Sequence, residues 1–416
     1  MGLVKKTKKE PEFLLSLDIG TEFVKAIIAK KAEPLEIIGV GIARQDPTNM
    51  HAGAISDING TIKICEQALS LAENEAGEKA KSVVVGIAGE LVKGSTTTIK
   101  YRRPNSTDPI SEEEMALIIK RVQEKAGTLA RREIAFETNN PDVEVRLVNS
   151  AIVAINIDGY KITDPVGFKG KEVAIQIYTA FAPMVHISSL EKVCAELELD
   201  LVAVAVEPFA VCRACLGDQI ESDFSGILVD IGGGTTDVAV VNDGGVEGTK
   251  TFAIGGRSFT RQISVALGCD TSDAEKLKVN LESPKIKTGL REKINKAVDK
   301  TLDTWMAGLY LALDEFNSEE KFPSKILLCG GGAGLMTIQE TLAVKDWFTG
   351  LPFSRRPIIH LIDPSDIPGI VNKTDKELGY NFVTALGLLR VALDTVIVSP
   401  EKEEGIKAKL ARMLRN

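Results

Sequence analysis

Two segments of this chain, LLSLDIGTEFVKAIIAK near the start and GILVDIGGGTTDVAVVN in the middle, repeat one pattern: apolar strand, aspartate, glycine-bearing turn, apolar strand. Each strand is short and rich in Val, Ile and Leu, and the glycines let the chain fold straight back, so each segment is predicted as a β-hairpin. A hairpin that occurs twice predicts two related α/β domains. The boundary is expected near residue 222, where GDQIESDFSG is polar and carries turn residues. With 416 residues and 44% hydrophobic content, the chain is long enough for two cores.

Residues 88–182 carry a pattern of their own, a strand-like GIAGELVKGSTTTIKY, a helix, then the strands VEVRLVNSAIVAINID and KEVAIQIYTAFA. The helix is expected to start at Ser111, with Glu114 completing a capping box. This reads as a small α+β insert. Residues 257–325 are mostly helical in pattern, and the chain then returns to a buried strand in SKILLCGGGAGL.

A net charge of -8 and a pI near 5.3 argue against nucleic acid as a partner, because non-specific affinity for it comes from excess Lys and Arg. No apolar run approaches the roughly 20 residues that span a bilayer. The opening MGLVKKTKKE has no apolar core after its basic residues, so no secretion signal is expected. Six cysteines lie scattered through apolar segments, as in a reducing cytosol. Cys212 and Cys215 form a lone CxxC, either a redox pair or half a zinc site; with three histidines and no second ligand pair, a helix facing the core is the better reading.

Asp18 and Asp230 each end an apolar strand just before glycines. Small residues there let backbone N–H groups approach phosphate oxygens, while a carboxylate can hold a magnesium ion through its water shell. Thr21, Thr235 and Thr236 add hydroxyls. Either turn alone is equally an ordinary hairpin with a solvated aspartate; two of them, followed by the glycines of LLCGGGAGL, meet the requirement for clamping a nucleotide between domains. No P-loop, GxxxxGK[ST], occurs in the chain.

In order, DIGTEFVK (18–25), VEPFA (206–210), DIGGGTTD (230–237) and LLCGGGAGL (327–335) resemble the phosphate-1, connect-1, phosphate-2 and adenosine motifs of the actin, chaperone and sugar-kinase superfamily. The resemblance implies an actin-like ATPase fold holding ATP and Mg2+. It puts Asp18 and Asp230 at the metal, and Gly20, Thr21, Lys25, Gly232, Gly233, Gly234, Thr235, Thr236, Gly255, Gly256, Gly331, Gly332 and Ala333 around the nucleotide. Glu207 matches a chaperone glutamate that orients the attacking water, with Asp237 a second candidate beside that water; Glu207 is equally a strand-end surface carboxylate. Glu275 and Lys278, three apart on one helix, match a pair used for the ribose hydroxyls, although Ser272 and Glu275 also fit a local capping box.

Several further segments, GVGIARQDPTNMHAGAISDINGTIKICEQALSLAENEAG, DPVGFKG (164–170), FAIGGRSFTRQIS and SDAEKLK, resemble the FtsA family, as does the position of the insert. That resemblance implies subdomain 1A at 12–87 and 183–222, 1C at 88–182, 2A at 223–256 and 326–400, 2B at 257–325, and an amphipathic tail at 401–416. It implies a slow ATPase that forms filaments with itself and binds the C-terminal peptide of an FtsZ-like partner at 2B. It would sit in the cytoplasm on the inner face of the membrane. Read as a helix, GIKAKLARMLRN aligns Ile406, Leu410, Met413 and Leu414, with Lys407 among the flanking basic residues, the composition of a helix lying on anionic lipid. A core-packed or frayed end is the alternative. The pilus adaptor PilM resembles the chain as well, through VEPFAVCRA above all, and a metabolic kinase of the same superfamily is a third reading. IIHLIDPSDIPGIVNKT matches no motif of the family.

Overall fold

The computed structural model describes residues 12–216, 224–316 and 321–398. The chain enters on β1 (Phe13–Ile19), turns back as β2 (Phe23–Lys30) and continues as β3 (Leu35–Arg44); a ribbon of β4 (Met50–His51) and β5 (Ala54–Ile55) precedes α1 (Ile58–Ala76) and β6 (Ser82–Ile87). Then come β7 (Lys93–Arg102), α2 (Glu112–Thr138), β8 (Val145–Ile157), β9 (Tyr160–Lys161) and β10 (Glu172–Pro183). The first half closes with α3 (Met184–Glu196), β11 (Asp200–Val206) and α4 (Glu207–Leu216). The second half runs β12 (Gly226–Ile231), β13 (Thr236–Asn242), β14 (Gly245–Phe252), α5 (Gly256–Leu267), α6 (Thr271–Val279), α7 (Thr288–Asp314), β15 (Lys325–Cys329), α8 (Met336–Val344) and β16 (Ile358–Leu361). After these, β17 (Ile370–Asn372) and α9 (Val383–Val398) return to the first half.

One sheet is ordered β11-β6-β1-β2-β3-β17 and the other begins β16-β15-β12-β13-β14. The halves correspond strand for strand. An antiparallel hairpin (β1–β2, β12–β13) carries an antiparallel third strand (β3, β14) on one side. On the other side lie two parallel strands (β6 then β11, β15 then β16). The echoed sequence thus specifies a duplicated actin-like fold with a cleft between the halves. Parallel crossovers cover both sheet faces with helices, which is why β1 and β12 read as continuous apolar runs. Alternate residues of β12 serve different cores: Ile227, Val229 and Ile231 pack towards buried Trp305 of α7, whereas Leu228 joins the core of the first half.

Helices α4 and α9 cross beneath the cleft. A Cβ at Gly387 would lie 2.1 Å from the Ala210 carbonyl oxygen, so only glycine permits this approach. Arg213 of α4 and Asp394 of α9 form a buried ion pair at 2.9 Å. Cys212 and Cys215 also lie on α4, and burial pushes both thiols up, Cys215 to about 12. They are core thiols of a helix, as the sequence reading preferred.

In the insert, β7, β10 and β8 form an antiparallel sheet covered by α2, whose Met115, Ile118 and Val122 pack on Val173, Ile175 and Ile177. Ser111 caps α2, its hydroxyl accepting from the Glu114 N–H at 3.2 Å. The expected box does not close, because the Glu114 carboxylate pairs with buried Arg103 at 2.8 Å. Both chain connections of the insert run to the first half, yet β7 also pairs with β14 through Ser95↔Gly248 and Gly94↔Thr249, continuing the second sheet. The unmatched segment IIHLIDPSDIPGIVNKT becomes β16, at the edge of one sheet, and β17, at the edge of the other. No helix among the described residues is long and apolar enough to cross a membrane.

Candidate nucleotide cleft

The two hairpins share one register. Asp18 stands opposite Lys25 and Asp230 opposite Asp237, with residues 20–23 and 232–235 forming the turns. The turns face each other at van der Waals range: a Cβ at Gly233 would come within 2.9 Å of Glu22 Cβ, and one at Gly234 within 3.0 Å of the Thr21 side chain. Bulkier residues would prop the halves apart. Between the turns and the crossing helices lies a cavity of about 480 Å³.

Four carboxylates line the cavity, and three of them, Asp18, Asp230 and Glu207, act on one ammonium. Lys25 Nζ lies 2.7 Å from Asp18 Oδ2. Burial opposes the charge on Lys25, but Asp18, and beyond it Asp230 and Glu207, outweigh burial and raise its pKa. Burial pushes the Asp230 carboxyl up, against hydroxyl donation from Thr384 and the charge of Lys25. Asp237 rises to about 7 through burial and the charge of Asp230, partly offset by hydrogen bonds from Thr251 and Thr235. Glu207, the first residue of α4, is pushed well above the carboxylate range by burial and then by Asp18, Asp237 and Asp230. A helix N-terminus favours a carboxylate by only about 1 kcal/mol, too little to offset burial beside three others. This surplus of acidic oxygens suits a hard cation. Among the described residues no three His, Cys, Asp or Glu side chains are grouped to hold a metal by themselves.

Gly20, Thr21, Lys25, Gly232, Gly233, Thr235, Gly256, Glu275, Lys278, Gly331 and Gly332 line the cavity together with Asp18, Asp230, Glu207 and Asp237. The structure does not bring the remaining sequence candidates to its wall. The Thr236 hydroxyl donates to the Ile254 carbonyl (2.7 Å) and accepts from Trp305 Nε1 (2.9 Å). Ala333 is buried in the second core. Gly255 is pressed against the main chain of residues 232–233, and Gly234 against Thr21. The Gly256 and Arg257 N–H groups donate to the carbonyls of Gly232 and Gly233 (2.9 and 2.8 Å), tying α5 to the glycine turn. Glu275 pairs with Lys278 at 2.8 Å and accepts from the Thr260 hydroxyl. The capping alternative for Glu275 is overturned, because Asp270 caps α6 by accepting from the Asp273 N–H. At the third glycine segment, Gly330 has φ +80°, and a Cβ there would sit 2.1 Å from Asp230 Oδ1. The tail candidates Ile406, Lys407, Leu410, Met413 and Leu414 lie outside the described residues.

Sequence reasoning missed other lining groups. Glu22 reaches across the cleft to Arg257 (2.7 Å) and back to Arg44 (2.9 Å), an ionic bridge between the halves. Glu22 and Arg257 stand inside motifs already quoted, so charged residues flanking those motifs were the available signal. Tyr380, Asn381 and Thr384 line the cavity from the approach to α9, where no local pattern marks them.

Comparison with known proteins agrees with this geometry. The family model "Cell division protein FtsA" matches residues 227–401. The cell division protein FtsA of Enterococcus faecalis is 28% identical over 268 residues, 64% of this chain and 57% of that one. FtsA of Neisseria meningitidis is 25% identical over 98% of both chains. The chain is similar to FtsA proteins. It matches little more than half the length of the enterococcal FtsA proteins. The solved "PilM-PilN type IV pilus biogenesis complex" includes a chain similar in fold to this one, with TM-score 0.67 and 18% identity over 94% of this chain and 100% of that one.

Proposed function

We propose that this protein binds Mg-ATP in the cleft, polymerises, and as a filament links an FtsZ-like partner to the inner face of the cytoplasmic membrane through its C-terminal segment. The observation that carries the nucleotide part is the pair of matched turns meeting at the edge of a cavity lined by four acidic side chains. Asp18 and Asp230 would hold the hydrated magnesium, and Lys25 balances Asp18 between them. When bound, the ion neutralises phosphate charge. Thr21, Thr235 and the glycine-turn N–H groups would meet phosphate oxygens, while Glu275 and Lys278, already paired, would face the ribose. Burial and its acidic neighbours raise the Glu207 carboxyl in the empty cleft, and a cation beside it favours the ionised form that would orient water. The helices of residues 257–325, which leave Val265 and Leu311 exposed, would receive the partner peptide.

The tail supplies the membrane part. Partial burial of Ile406, Leu410, Met413 and Leu414 contributes on the order of a few kcal/mol, and each basic residue about 1 kcal/mol near anionic lipid. One such tail is marginal, but a filament presents many at once, and the effective concentration holds the polymer where a monomer dissociates. Co-sedimentation with anionic vesicles tests the reading: the full chain should pellet more strongly with Mg-ATP, and a chain lacking residues 404–416 should stay in solution while still binding nucleotide. A truncated chain that pellets as well as the full one would favour a PilM-like adaptor instead.

A further inference from the structure

A second cavity, about 640 Å³, opens between the insert and the first half. Its walls mix polar surface with apolar side chains, the latter from Leu147 and Val148 of β8, Ile187 of α3, Leu201 and Val204 of β11, and Val391 of α9. Three features of this groove specify an occupant. First, β11 is the edge strand of its sheet, pairing only with β6 among the described strands, and the residues of its other edge line the groove. Second, Thr395 of α9 lines the groove three residues before Val398, the last described residue, so residues 399–416 are attached at the groove's own wall. Third, the charges match. Glu191 in the lining pairs with Arg146 and Glu196 beside it with Lys192, so the acidic excess comes from exposed Glu198 and Asp200; residues 406–416 hold Lys407, Lys409, Arg412 and Arg415 and no acidic side chain.

We propose that, away from a membrane, residues 406–416 dock in this groove, covering with Ile406, Leu410, Met413 and Leu414 the apolar side chains of β8, α3 and β11 while the basic residues meet its polar surface. Residues 399–405 reach about 25 Å when extended, enough to turn the stripe back from the end of α9 onto the groove. The apolar atoms that would enter lipid are then covered while the chain is in solution, and membrane binding competes with docking for one segment. Docking itself does not depend on the membrane reading; only the competition does.

Amide hydrogen exchange without lipid tests the docking, comparing the full chain, a chain lacking residues 404–416, and the full chain carrying Leu410→Glu and Leu414→Glu. A docked fraction of ten to one slows exchange about tenfold, so α3 and β11 should exchange about tenfold faster in both variants than in the full chain. A synthetic peptide of residues 404–416 should restore protection to the truncated chain. Equal exchange in all three proteins, with no effect of the peptide, overturns the proposal and leaves the groove to a segment of another protein. Anionic vesicles added to the full chain should raise groove exchange to the truncated level. Persistent protection with no pelleting supports docking and rejects the membrane tether, so the two failures are distinguishable.

Discussion

Replacing Asp237 by Asn should make the empty protein more stable at pH 8 and leave it nearly unchanged at pH 4. In the folded chain Asp237 ionises at about 7 rather than at its ordinary 3.8. Below pH 4 both folded and unfolded chains hold the proton, and the group gives no pH dependence. Between those values the folded chain holds a proton that the unfolded chain has released, so stability falls as pH rises, by about 1.4 kcal/mol per unit. Above pH 7 the decline levels off, with roughly 4 kcal/mol lost to ionising a carboxylate buried beside Asp230. Asn cannot ionise, and its amide oxygen still accepts from the Thr251 or Thr235 hydroxyl; its N–H₂ group loses part of the gain, leaving about 2–4 kcal/mol. Scanning calorimetry without nucleotide should show the variant melting roughly 2–5 °C higher at pH 8. An offset between the two proteins that is the same at pH 5 and pH 8 would refute the reasoning, because it would place the Asp237 titration outside that window.

Two further substitutions separate binding from chemistry and from structure. Glu207→Gln should lower ATP turnover by about 100-fold or more while changing nucleotide affinity only a few-fold, since orienting water matters as the transition state forms; equal turnover, measured by phosphate release, would make Glu207 structural. Gly330→Ala forces a side chain onto Asp230 at a backbone φ of +80°, so it should lower the melting temperature by the equivalent of about 3 kcal/mol or more and abolish nucleotide binding together.

The duplicated architecture was legible because it is written locally. LLSLDIGT and GILVDIGG are apolar runs ended by aspartate and glycine, and a hairpin between such runs needs no distant partner to be recognised. The cleft carboxylates followed from the same motifs. What stayed hidden depends on pairings between remote residues. Nothing in KGSTTTIKYR announces that Ser95 will pair with Gly248 and join the insert to the second sheet. Thr384 sits in an apolar helix and is set against Asp230 only by the crossing of α9 under the second hairpin. Thr236 shows the opposite failure: it belongs to the glycine motif, but strand alternation turns its hydroxyl to Ile254 and Trp305 instead of the cavity. The Ser272 alternative for α6 lost to Asp270 because an aspartate two residues earlier reaches the Asp273 N–H and leaves Glu275 to face Lys278.

The central claim is that Asp18 and Asp230, brought together by two copies of one hairpin, hold a metal-bound nucleotide between the halves. Titration calorimetry of ATP into the protein, with magnesium and with EDTA, and repeated on Asp230→Ala, tests it most directly. The account predicts binding that weakens by about tenfold or more when magnesium is removed, and by a similar factor in the variant, with the magnesium dependence largely lost there. Equal affinity in the variant and the parent, at the same magnesium concentration, would contradict it.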